Sequence, residues 1–243
     1  MMYLTNVSLL DVVKKQLFFK VKAYYGTFTS LATVQAIALL FSFNGVGQMG
    51  LGGNVSISSY SGSMIFVFTA FWAFITAITL STKPYHYIDF SFVTNRMSSH
   101  LSTIGMLIIY SFIASITSTF AGILLRVILY FNGSNKIIAN HFFLPFSDML
   151  VGIYIGTLYL LLFATLGYLI GMFTQMNKLF GFAIPALVIG WAIYEIRSFD
   201  TFTGFTFFAH ESSILVFTLK IVVTVAVMMW IVITATNRLE VRK

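Results

Sequence analysis

The groups in this chain able to do chemistry are few and poorly placed for it. Among 243 residues there are seven carboxylates, four histidines and no cysteine. His86, His100, His141 and His210 fall in loops or at the edges of apolar stretches. His86 and Asp89 stand three apart and could share a helical face, but two ligands do not close a zinc site. No metal is expected. Hydrolysis inside a membrane needs a nucleophile beside a base, or paired carboxylates, at depth. No histidine, aspartate or glutamate stands midway along an apolar run, so no catalytic residue is expected and the chain reads as a non-enzyme. Gly45-Val-Gly47-Gln-Met-Gly50 matches the dinucleotide pattern G-x-G-x-x-G. That chemistry requires a strand before it, a helix after it and an acid about 20 residues on. Here an apolar stretch precedes, Leu-Gly-Gly-Asn follows, and the next acid is Asp89. The segment reads as a flexible loop. A phosphate-cradling G-x-x-x-x-G-K-[ST] is also missing, as is any Gly-Lys pair.

The elements that would position these groups follow from composition. The chain is 58% hydrophobic, 17% aromatic and only 9% charged, against roughly 25% charged in a soluble domain. A disordered chain needs low hydrophobicity and high net charge, and a disulfide scaffold needs cysteine. An integral membrane protein remains. A spanning helix takes about 20 mostly apolar residues, and six stretches qualify: 24–43, 63–80, 101–125, 149–173, 179–196 and 214–236. All are far longer than a barrel strand of about 9–11 residues, and none alternates. The expected fold is therefore all-α: one transmembrane domain over 1–243, with six helices and an interfacial segment at 1–23. The connections are short, which leaves no room for a folded soluble domain. Residues 1–23 lack the order of a cleavable signal peptide.

Basic residues set the orientation. With the N-terminus inside, ten lysines and arginines face the cytoplasm: Lys14, Lys15, Lys20, Lys22, Lys83, Arg96, Lys178, Arg238, Arg242 and Lys243. Three acids accompany them, a net +7, whereas the four basic and four acidic residues outside cancel. Both termini are expected in the cytoplasm. The positive charge is thus a topology signal, and no nucleic-acid partner is expected, since no soluble basic module exists to carry one.

Two cytoplasmic elements stand out. Residues 9–22 read as a helix lying on the inner surface, with Asp11, Lys14, Lys15 and Lys22 on one polar arc of about 100°. Phe18 falls inside that arc and Lys20 outside it, so the amphipathicity is imperfect. The loop from Ser81 to His100 mixes polar, aromatic and charged residues. Pro84 ends the second span, and Asp89 or Asn95 is a candidate cap for a short helix leading into the third. Such a helix, aromatic on one side, suits docking.

Within the spans, Gly152, Gly156, Gly167 and Gly171 lie within about 100° of one another around the fourth helix, at 100° per residue. Small residues in register let helix backbones approach closely, and the facing helix belongs either to this chain or to a second copy. Pro185 should kink the fifth helix and act as a hinge. Glu195, Arg197 and Lys220 lie near the outer ends of the fifth and sixth spans, where they either reach the surface or line an outer vestibule. Ion-coupled transporters usually keep ionisable groups at depth; their lack here leaves no energy source apparent within the chain.

Six crossings with both ends inside, a basic interfacial helix and a docking-shaped second cytoplasmic loop resemble the type-2 permease family of ATP-binding cassette (ABC) exporters. The stretch Phe92-Val-Thr-Asn-Arg-Met-Ser-Ser-His-Leu-Ser102 is similar to the segment in which a coupling helix of those permeases meets the ATPase. The length and aromatic-rich style are similar to small bacterial permeases that export amphipathic toxin peptides, phenol-soluble modulin exporters among them. The resemblance implies a division of labour. A separate cytoplasmic ATPase holds ATP and Mg, this chain holds no cofactor, and two permease chains, identical or paralogous, form the pathway in a bacterial plasma membrane. It places the ATPase-docking surface at Phe18, Phe90, Phe92, Asn95 and Arg96, and a peptide substrate in the pathway. The family normally has longer outer gate helices between the fifth and sixth crossings, and 198–212 is short beside them, which leaves open whether this loop is a gate. Two other classes remain open. One is an immunity protein that binds toxic peptides in the host membrane, and the other is a secondary transporter or channel of another superfamily.

Overall fold

A computed structural model describes residues 9–43, 47–50, 56–59, 62–82, 96–131, 145–199, 206–208, 211 and 213–238. Their order is α1 (Leu9–Ala23), α2 (Gly26–Ser42), β1 (Gly47–Gly50), β2 (Ser56–Ser59), α3 (Ser63–Leu80), α4 (Arg96–Phe131), α5 (Phe146–Met176), α6 (Phe180–Phe199) and α7 (Ile214–Arg238). Helices α3 to α7 are each long and apolar enough to cross a membrane, and α1 with α2 makes a sixth candidate if the bent pair counts as one span. The chain has the make-up of a multi-pass helical membrane protein. Large apolar side chains point outward over much of the surface, Phe182 and Leu215 each at 82% exposure. Lipid tolerates this and water does not.

One boundary falls where expected and several elements differ. The bend between α1 and α2 is 54°, and it falls at Tyr24–Tyr25, where the interfacial segment was expected to give way to the first span. Thr27 N–H donates to the Tyr24 carbonyl and Phe28 N–H to that of Tyr25. These i→i+3 bonds tighten the chain where Gly26 weakens helical preference. Helix α4 has 36 residues and α5 has 31, longer than the 101–125 and 149–173 expected. At 1.5 Å per residue α4 is about 54 Å long, against a hydrocarbon core of about 30 Å. The extension at its start carries Ser98, Ser99 and His100, polar residues buried against other helices, which a hydropathy rule reads as a boundary. The glycine-rich segment expected to be a flexible loop contains a ribbon. Strands β1 and β2 pair antiparallel, with Gly47 opposite Ser59 and Gly50 opposite Ser56. Gly47 and Gly50 thus lie in a strand paired with β2, where a dinucleotide-binding motif would have its glycines open a helix.

Helix α5 is the hub, packing on α3, α4, α6 and α7. The main core gathers Trp72, Ala77, Leu107, Tyr110, Leu160 and Tyr168 among its buried members. Three of the four stripe glycines create the close approaches. A Cβ on Gly156 would meet the Ser115 hydroxyl of α4; one on Gly167 would meet the Phe74 carbonyl of α3; one on Gly171 would meet Ser81, with the Ile78 backbone beside it. Gly152 has nothing within 4 Å. The Ser115 hydroxyl donates to the Ile153 carbonyl at 2.8 Å, a bond between helices that the missing Cβ at Gly156 permits. Pro185 lies inside α6, which runs uninterrupted through it, and the proline cannot donate to the Gly181 carbonyl.

Gln35 is buried in the middle of α2 and ties three helices together. Its amide donates to Thr117 Oγ1 of α4 at 3.0 Å and to Thr69 Oγ1 of α3 at 3.3 Å. Both threonines also donate to carbonyls of their own helices, so neither would lose its donor bond if the amide were removed. We therefore expect Gln35→Leu to cost only about 1 kcal/mol, typical of interhelical hydrogen bonds in lipid. Reversible unfolding in mixed micelles measures it. A loss above about 3 kcal/mol would show that Gln35 holds more than these bonds.

Candidate functional site

The most concentrated polar site is the junction of α1, α4 and α5. Side chains four apart share a helix face, and on α1 that places Gln16 and Lys20 together. Both are buried, Lys20 at 3% exposure. Lys20 Nζ donates to Thr103 Oγ1 at 2.9 Å and to the Ser99 carbonyl at 3.3 Å. Thr103 Oγ1 in turn donates to that same carbonyl at 2.9 Å. Small residues at the start of α4 make room for this: Leu17 of α1 seats against Gly105, where a Cβ would meet its methyls at 3.3 Å. One residue after Ser99, His100 turns toward α5, its Nδ1 lying 2.9 Å from the Tyr168 hydroxyl. At the α1–α2 bend the Tyr110 hydroxyl donates to the Tyr24 carbonyl at 3.4 Å, and Phe28 packs edge-on to Tyr110 with centroids 5.2 Å apart.

The other face of α1 is open. Lys14, Lys15, Phe18 and Lys22 are exposed, Phe18 at 75%. Lys20, an irregularity in the polar arc, is the residue that anchors the helix. Helix α1 is thus held against the bundle on one side and exposed on the other. Among the described residues no three His, Cys, Asp or Glu side chains gather where they could hold a metal ion.

The remaining expected residues do not form one site. Phe90, Phe92, Asn95 and the Arg96 side chain lie outside the described residues. At the far end of the bundle, Lys220 pairs with Glu211, donates to the Phe207 carbonyl at 3.2 Å and sits 4.1 Å over the Phe207 ring. The next carbonyl, that of Phe208, accepts from Tyr159 of α5 at 3.2 Å. A helical turn at 206–208 is thereby tied to both α5 and α7. Glu195 is buried and Arg197 exposed. Sequence reasoning missed Lys20 as an anchor, and it missed Gln35 and the His100–Tyr168 pair altogether. The available signals were Lys20 falling outside its arc and Gln35 standing alone in an apolar run. No family model matches the chain, and neither a curated protein nor a solved structure matches it.

Proposed function

We propose that this chain is the membrane-spanning permease subunit of an ABC exporter in a bacterial plasma membrane. It moves hydrophobic or amphipathic peptides outward, works as a pair of permease chains, keeps both termini in the cytoplasm and draws on ATP and Mg held by a separate cytoplasmic ATPase. The observation that supports this most is the two-faced seating of α1. A helix that carries motion from a soluble partner into a bundle needs one side fixed to the bundle and the other free for the partner. Lys20 and Leu17 supply the first, and Phe18 with the exposed lysines supplies the second. The cluster of positive charge at this end suits the cytoplasmic side.

The test is co-expression with candidate cytoplasmic ABC ATPases from the same genome, followed by co-purification and peptide export in inverted vesicles. The pair is expected to co-purify and the permease alone to be inert. Phe18→Glu should weaken co-purification roughly 30-fold, the loss of an aromatic interface anchor worth about 2 kcal/mol, with thermal stability unchanged because the side chain is exposed. Full export by the variant would remove Phe18 from the docking surface. Transport by the permease alone would end the reading.

A further inference from the structure

A groove of about 550 Å³ runs between α2 and α3. Phe71 and Ile75 on its rim are 63% and 60% exposed, so it opens sideways toward lipid. Among the described residues its lining carries no charged side chain. Its hydroxyls gather at one end: Thr27 and Ser30 lie at the start of α2, Thr76 and Thr79 near the end of α3, whereas Val34 and Phe68 line the other half. Several of these polar groups are spent within the protein. Trp72 Nε1–H donates to Ser30 Oγ at 2.9 Å, Ser30 Oγ to the Thr27 carbonyl at 2.8 Å, and Thr79 Oγ1 to the Ile75 carbonyl at 2.8 Å. The Thr27 and Thr76 hydroxyls have no hydrogen-bond partner among the described residues. That sets Thr76 apart on α3, where Thr69 and Thr79 both donate to the carbonyl four residues back.

A hydroxyl left unpaired in an apolar setting costs about 1–3 kcal/mol. Two unspent donors in an uncharged, lipid-facing slot therefore call for an acceptor that the bilayer itself supplies. Both stand where an apolar helix begins or ends, the depth at which acyl chains give way to the polar region of the lipid. We infer that the groove binds a diacyl lipid through its ester carbonyls, which accept from Thr27 and Thr76 while an acyl chain lies along Phe68 and Phe71. Selection is by the ester and not by the headgroup, because no charged side chain among the described residues lines the slot. This reading depends on membrane insertion alone and stands whether or not the chain is a permease.

Trp72, in the groove wall, reports on occupancy. A protein with Trp191→Phe and Trp230→Phe keeps it as the sole tryptophan, since the chain has three, and both replaced side chains are exposed. This protein is reconstituted in vesicles of ether-linked phosphatidylcholine, which has no ester carbonyl. Chain-brominated phosphatidylcholine is then titrated in, either ester-linked or ether-linked. The ester lipid should quench Trp72 saturably, with a preference over the ether lipid of about fivefold for each hydrogen bond made. Thr27→Val with Thr76→Val keeps the shape of the slot and should bring that preference to one, with quenching by the ether lipid unchanged. Brominated ester-linked phosphatidylglycerol should match the ester-linked phosphatidylcholine. Equal quenching by ester and ether lipids would overturn the proposal in favour of unselective annular contact, as would an ester preference that survives in the valine variant. A preference for phosphatidylglycerol would show that charge selects the lipid, and no saturable quenching at all would show the groove closed to it; either result also overturns the proposal.

Discussion

Valine at position 167 should destabilise the folded bundle more than any other single substitution on the α5 stripe. At Gly167 the backbone of α5 lies against the backbone of α3: a Cβ there would overlap the Phe74 carbonyl oxygen, with its carbon at 3.0 Å and Ala77 Cβ at 3.2 Å. A side-chain tip can rotate aside, but a carbonyl held in a helix cannot. The only relief is to part α3 from α5, the seam that holds the main core, with Ala77, Leu160 and Tyr168 fully or almost fully buried along it. Overpacking a dense core costs about 1–3 kcal/mol for modest intrusions, so valine should cost about 3 kcal/mol or more of a total of roughly 5–15. Thermal unfolding in detergent should fall by about 10 °C, with a loss of monodisperse protein. Gly167→Ala should show part of the effect. Gly152→Ala, where a Cβ meets nothing, should leave stability unchanged or slightly raised. A Gly167→Val protein as stable as the parent would mean the two helices are not this close.

The second large effect is expected at Lys20. Glutamate there would aim a carboxylate at the Ser99 carbonyl oxygen, replacing a donor with an acceptor at a buried site. A buried charge that loses its complement costs about 3–5 kcal/mol. That exceeds what the remaining contacts of one short amphipathic helix can hold, so α1 should detach while the spans stay folded. Lys20→Met discriminates this from a general defect. It keeps the stem packed and loses the charge-assisted bonds, but it also removes the cost of burying an ammonium, so α1 should stay docked with little change. The readouts are backbone hydrogen exchange and tryptic cleavage at Lys14 and Lys15. Glutamate should speed both by about 100-fold or more, and methionine by no more than about tenfold. If α1 is the coupling helix, Lys20→Glu should also separate ATP hydrolysis from export. Unchanged exchange in the glutamate variant would show that Lys20 does not anchor α1.

Particular residues mark the limit of what could be read beforehand. The stripe on α5 announced close helix approach but not the partner. Gly156 turns to α4, Gly167 and Gly171 to α3, and Gly152 to no described neighbour, because a hub helix divides one face between two neighbours. Lys20 was visible only as a defect in the amphipathic pattern. The defect was the anchor, since a residue pointing away from the polar arc points at the bundle. Gln35 was passed over because one amide barely lowers the hydropathy of a run of about 20 residues. Lys220, expected either to reach the surface or to line a vestibule, is engaged by Glu211 and Phe207.

The amino-acid sequence alone determined that the chain lives in lipid, where its apolar helices run, and that no helix carries an acid or a histidine at its middle. Each is a property of a single segment against its solvent: a run of about 20 apolar side chains partitions into hydrocarbon whatever its neighbours are. Tertiary structure alone decided which helix each glycine meets and that α1 is clamped through Lys20. Lipid tails are as apolar as a leucine core, so hydropathy cannot separate the side of a helix that faces lipid from the side that faces another helix. Small and polar residues declare that they need a neighbour, and only the packed bundle says which one.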